Sequence, residues 1–259
     1  MDLAQVVQQK AHKEEHTIDP LFRVEVIAQM PNPQQVIYAA LHQDYSEHFV
    51  YDEIKDGKWP SEQKAGEIAL RRILSGELHG GPLEHPQIVF NVGYFPHSVM
   101  QQARTHRVGC SFDVQSGRYT GDRVVKCAEG IYDVEQVFYL RPVGHYTDRQ
   151  GHKYYYDEEW RAHDLAYCLE NAKEYALAIS KGASEEHARG KLAFDFRQHF
   201  VVSFNMRSMG HLLVMRSKKD AQWEIQQMCL LMLPHFQAWA PEVFSWFYDK
   251  QWQKGRLAL

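Results

Sequence analysis

Short strand-like apolar runs alternate with longer stretches of helical spacing along this chain, and no repeat or flexible linker divides them. That pattern confines it to architectures in which helices and a sheet share one core. Val24 to Ala28 is an apolar run closed by Pro31 and Pro33, which reads as a strand and turn before a helix beginning near Gln34. Glu62 to Leu78 has helical spacing and stops at the Gly80-Gly81-Pro82 breaker, flanked by His79 and Glu84, and Ile88 to Val92 follows as a strand. A further helix is expected from about Pro96 to Arg107. The turn-rich residues 120–155 hold one strand candidate, Glu135 to Leu140. Glu158 to Lys181 then has helical spacing and ends at Gly182, and Phe196 to Met206 reads as a strand. Helical patterns close the chain near Ser208 to Ser217, Ala221 to Leu233 and Pro241 to Tyr248. These elements predict one α+β domain over residues 21–259, with a mixed sheet flanked by long helices. Residues 1–20 are polar and are expected to form an arm or surface helix without a functional role.

Composition narrows the function classes. At 259 residues and 44% hydrophobic content, the chain can bury a substantial core. A net charge of −4 argues against general capture of nucleic acid, which needs a positive surface, so anions must be held by local arginines. Cys110, Cys127, Cys168 and Cys229 lie far apart without a CxxC pair, as expected of reduced thiols in the cytoplasm. No stretch of 18 apolar residues and no signal-like N-terminus is present, which predicts a soluble, unprocessed chain with no membrane partner.

Chemistry gathers between Arg104 and Tyr119, where Arg104, Arg107, Arg118, His106, Ser111 and Ser116 surround Gly109 and Gly117. Arginine offers a planar fork of donors to phosphate, and glycine lets backbone approach a ligand closely. The composition suits a phosphorylated nucleotide; the plainer reading is an arginine-rich helix end that is merely solvated. Ser116 lacks a Ser-His-Asp or Gly-x-Ser-x-Gly setting, and Cys110 is more often a small buried thiol than a nucleophile. The fifteen histidines include no HExxH and no compact Cys/His cluster, so no metal site is expected. Without a GxGxxG or Walker loop, neither a Rossmann nor a P-loop fold can be claimed.

Thr105-His106-Arg107, eight intervening residues and Ser116-Gly117-Arg118-Tyr119 resemble the signature of the flavin-dependent thymidylate synthase family, which is Arg-His-Arg, seven residues, then Ser-Gly-Arg. The first arginine is here Thr105, one residue is inserted, and Arg104 could supply the missing guanidinium. Two more blocks resemble the family in the same order: His79-Gly80-Gly81-Pro82-Leu83-Glu84-His85 upstream, and Asn205-Met206-Arg207-Ser208 through Arg216 to Asp220-Ala221-Gln222-Trp223-Glu224-Ile225-Gln226-Gln227 downstream. The resemblance implies reductive methylation of dUMP to dTMP with FAD, methylenetetrahydrofolate and NADPH, in a homotetramer with shared sites. It implies hydride transfer from reduced flavin and no protein nucleophile, with Arg216 as the catalytic residue orienting the uracil. It implies dUMP contacts at Gln102, Arg104, Ser116, Gly117, Arg118, Arg189 and Arg216. FAD contacts follow at His79, Gly81, Glu84, Thr105, His106, Arg107, Asn205, Arg207 and His211, where the family often has asparagine at His211 and histidine at Asp220. Arg207 and Arg216 are nine residues apart, about half a turn in azimuth on one helix, so they should face different ligands or subunits. The alternatives are another flavin-dependent nucleotide-modifying enzyme on this fold, or a non-enzymatic nucleotide- or RNA-binding module using Phe112 and Tyr119.

Overall fold

The computed structural model describes residues 17–74, 79–148, 150–218 and 220–252. Strand β1 (Arg23–Gln29) leads into helix α1 (Pro33–Gln43), whose first turn carries the proline. Helix α2 (Glu62–Ala69) is started by Ser61, which accepts a hydrogen bond from the Lys64 amide, and widens into a π-helical turn over Leu70–Leu74. The rest of the expected helix, residues 75–78, lies outside the described residues. A 3-10 turn, Gly81–Glu84, precedes the long strand β2 (Gln87–Pro96).

Helix α3 (His97–Ala103) is shorter than the expected Pro96 to Arg107, because the Thr105 hydroxyl donates to the Gln102 carbonyl at 2.7 Å and closes the end. The signature then runs as strand β3 (Cys110–Val114), an element the sequence reading had not assigned. Helix α4 (Asp122–Ala128), the hairpin β4 (Gly144–Thr147) and β5 (Lys153–Tyr156), and helix α5 (Glu158–Ser180) follow. The strand expected at Glu135 to Leu140 is absent. Asp133 and Gln136 form a capping box that turns Val134–Val137 into helix, leaving only a single bridge between Phe138 and Phe196.

Strand β6 (Arg197–Asn205) runs directly into helix α6 (Met206–Arg216), and α7 (Trp223–Trp239) and α8 (Pro241–Phe247) complete the core. Helix α7 extends past its expected end at Leu233 and through Pro234, which costs a backbone donor. Phe236 and Trp239 are buried beyond the proline, and their packing holds the extra turn.

The strand order is β1-β2-β6-β3, and every pair is antiparallel, so the sheet is not mixed as expected. Alternation explains the layering: Ile88, Phe90 and Val92 on β2, and Phe200, Val202 and Phe204 on β6, are buried. They meet Leu212, Leu213, Ile225, Leu233 and Phe236 of the helices in one core. A second apolar cluster joins Val124, Cys127, Phe138, Cys168, Tyr175 and Phe196 under α4 and α5.

Residues 1–16 of the expected arm lie outside the described residues, whereas Asp19 is fastened to the fold. Its backbone amide donates to Gln227, and its carboxylate accepts at 2.8 Å from Arg197, which is only 1% exposed. Arg197 also donates to the Glu135 and Tyr94 carbonyls, so a buried charge is both paired and hydrogen-bonded.

Candidate active site around helix α6

Asn205 ends β6 and caps α6 by accepting from the Ser208 amide at 2.8 Å, an arrangement worth about 1 kcal/mol. The strand-to-helix junction therefore aims α6 rigidly, with an arginine near each end. Near the N-terminus, Arg207 lies against Gly80, where a Cβ would sit 3.0 Å from Nε, and pairs with Glu84 at 2.5 Å. At the far end Arg216 donates from Nε to His106 Nε2 and from Nη2 to Thr105 Oγ1, each at 3.0 Å. Both arginines lie on the one helix and meet different partners, Arg207 the His79–His85 block and Arg216 the signature.

Gly109 makes the signature's approach to α6 possible. Its φ of +64° lies in the left-handed region, and its carbonyl accepts from the Asn205 amide at 2.8 Å. A Cβ there would stand 2.2 Å from Ser208 Oγ and 2.3 Å from Asn205 Nδ2. Gly109→Ala should therefore destabilise the fold by about 2–4 kcal/mol, from backbone conformation plus overlap. A thermal melt unchanged from the parent would contradict this.

His106 is held neutral, its pKa pulled down to about 4 by burial first, then by Arg216 and His211. Because its Nε2 accepts from Arg216, the ring proton belongs on Nδ1. The His211 ring stands edge-on to it at 5.7 Å, and His211 is exposed. His79 lies 3.6 Å from the position of a Gly81 Cβ, and Arg107, next in sequence to His106, is exposed. Cys110 donates to the His106 carbonyl at 3.1 Å, and burial pushes its thiol up, away from thiolate chemistry.

Ser116, Gly117, Arg118 and Arg189 form a second group. Ser116 orders its own turn by accepting from the Tyr119 amide and the Thr120 hydroxyl. The Arg189 side chain packs over Gly117, with Cδ 3.5 Å from the position of a Cβ. Arg118 pairs with Glu186 at 2.8 Å. Gln102 is tied to Gln222, which also binds Ser98, and its Oε1 is buried without a hydrogen bond. Arg104 stands exposed at the C-cap of α3, so Thr105, not Arg104, meets Arg216.

Arg123 escaped the sequence reading. It stacks on Phe196 at 4.2 Å, bonds the Arg197 carbonyl, and holds Gln115, the residue before Ser116, at 3.0 Å. Burial draws its pKa down to about 10. The available signal was a lone arginine in the first turn of a helix that otherwise buries Val124 and Cys127. Among the described residues no group of three or more His, Cys, Asp or Glu side chains could hold a metal ion.

An antiparallel α+β scaffold thus carries arginines at both ends of one helix, beside a serine-glycine-arginine turn backed by another arginine, donors of a kind that suits phosphorylated ligands. A family model described as "Thymidylate synthase complementing protein" matches residues 25–242. The flavin-dependent thymidylate synthase of Halobacterium salinarum is 30% identical over 253 residues, covering 91% of this chain and 99% of the relative. That of Haloarcula marismortui is 31% identical with the same coverage. Solved structures add likeness of fold. The Helicobacter pylori thymidylate synthase X with FAD and dUMP aligns with a TM-score of 0.63 at 18% identity, covering 88% of this chain and 98% of that one. A UMP/dUMP methylase, PolB, from Streptomyces cacaoi bound with 5-Br UMP aligns at 0.65 and 18% identity, covering 94% and 98%. The chain belongs to the flavin-dependent thymidylate synthase family and is an enzyme of that kind.

Proposed function

We propose that this enzyme converts dUMP, methylenetetrahydrofolate, NADPH and a proton to dTMP, tetrahydrofolate and NADP+, with FAD bound beside α6. The observation that carries the reading is the convergence of all three sequence blocks on one helix, through Arg207 with Glu84, Gly109 with Asn205, and Arg216 with Thr105 and His106. The donor set fits a flavin dinucleotide: Arg207 and exposed Arg107 are cations for its phosphates, and Glu84, the carboxylate nearby, is already matched by Arg207. His79, Gly81, Asn205, His106 and His211 offer neutral hydrogen-bonding or stacking surface to the rest. When bound, reduced FAD would supply the hydride that is delivered to the pyrimidine ring.

The chain's own work is binding and orientation. Ser116, Gly117, Arg118 and Arg189, with Gln102 and Arg104, hold dUMP; Arg216 aligns the uracil and favours electron density on the ring. Neutral His106 keeps Arg216 in place without adding a competing cation. No thiolate is required, and Cys110→Ala should retain at least about half the parent turnover, since a truncated neutral thiol removes packing rather than chemistry. Loss of all activity in a folded, flavin-loaded Cys110→Ala protein would point instead to nucleophilic catalysis.

Because Arg207 and Arg216 diverge, we assign them to different sites of a homotetramer. Four free cysteines fit a reducing cytoplasm, and no described helix is long and apolar enough to cross a membrane. The net charge of −4 argues against general electrostatic capture of nucleic acid. The deciding experiment is dTMP formation from dUMP, methylenetetrahydrofolate, FAD and NADPH, repeated with UMP. Turnover of UMP alone would favour a different nucleotide-modifying enzyme, and a colourless, flavin-free protein with no turnover would favour a binding module.

A further inference from the structure

Thr105 stands where the family signature has its first arginine, and its side chain has a defined task here. Its hydroxyl proton goes to the Gln102 carbonyl at 2.7 Å, which leaves its lone pairs to accept from Arg216 Nη2 at 3.0 Å. The adjacent residue, His106, accepts from Arg216 Nε at 3.0 Å. Nε and Nη2 form one edge of the planar guanidinium, so two consecutive residues occupy that edge as a fork. A guanidinium carries five N–H donors, and the described residues take two of them along this edge, which leaves the far side facing away from the fork. An arginine at position 105 could not make this contact, since it has no acceptor and would bring a like charge to Arg216.

We propose that Thr105 is a positioning residue for Arg216, holding one guanidinium edge so that the other is presented to the pyrimidine nucleotide. The proposal rests on the reading of Arg216 as the uracil-orienting residue, and it moves Thr105 from the flavin contacts to the nucleotide side of the site. Since Thr105 works by accepting, the hydroxyl alone matters, and its methyl group is dispensable.

The test compares Thr105→Val, which keeps shape and loses the acceptor, with Thr105→Ser, which keeps the hydroxyl, and with each change made in an Arg216→Ala background. The readouts are kcat and KM for dUMP, calorimetric dUMP affinity of the FAD-loaded protein, FAD affinity from flavin fluorescence, and melting temperature. Thr105→Val should lower kcat/KM for dUMP about tenfold or more with FAD affinity and melting temperature near the parent, Thr105→Ser should stay within about twofold, and the valine change should cost nothing further once Arg216 is gone. Parent-like kcat/KM in Thr105→Val overturns the proposal, as do additive losses in the double variant. Weakened FAD binding with unchanged dUMP affinity also overturns it, making Thr105 a flavin contact. If the parent protein makes no dTMP, the proposed activity falls, while the calorimetric cycle with dUMP still decides whether Thr105 acts through Arg216.

Discussion

Arg216→Ala is expected to lower dTMP formation by about 10²–10³ in kcat, the scale seen when one preorganised donor to developing charge is removed. The loss should fall on chemistry and dUMP binding, leaving FAD affinity and the fold nearly intact. Arg216 sits at the last turn of α6, and the buried residues of that helix, Met209, Leu212 and Leu213, do not depend on it. Its removal frees Thr105 Oγ1 at an exposed contact and His106 Nε2 at a half-buried one, and water entering the space left by the guanidinium can replace it at modest cost. Steady-state kinetics with a flavin titration on the same preparation separate the two effects. Near-normal turnover would take Arg216 out of the mechanism, and loss of flavin together with activity would place it on the cofactor instead.

Mixing Arg207→Ala and Arg216→Ala proteins should restore activity from two nearly inactive parents. If each site draws Arg207 from one chain and Arg216 from another, random exchange at equal amounts leaves about a quarter of the sites with both arginines intact. The expectation follows from α6. Nine residues separate the two, which is about 13.5 Å along the axis and half a turn around it, and their partners, Glu84 on one side and Thr105 and His106 on the other, diverge accordingly. The recovered rate should rise with the extent of subunit exchange, followed by mass spectrometry of differently tagged chains. No recovery after proven exchange, or a monomer in solution, would defeat the shared-site arrangement.

Much of this was legible in the sequence because it is local. Helical spacing over Glu158 to Lys181 predicts α5 to within a residue of its end, and the apolar alternation of β6 is written in Phe200, Val202 and Phe204. The three blocks that converge on α6 were visible as motifs, as was the half-turn between Arg207 and Arg216, since both follow from fixed helical geometry. Where local signals competed, the reading failed: at Val134–Val137 a capping box prevailed over an apolar run, and at Pro234 tertiary packing carried a helix through a breaker.

What only the tertiary structure decided is who meets whom. The antiparallel order β1-β2-β6-β3 pairs β2 with β6 across more than a hundred residues, β3 is a strand because β6 lies beside it, and Arg123 matters because it reaches Gln115 and Phe196. Arg216 finds His106 and Thr105 across 110 and 111 residues of chain. Periodicity records which face of an element is buried, whereas the partner of a particular guanidinium depends on side-chain directions set only once the whole core has packed.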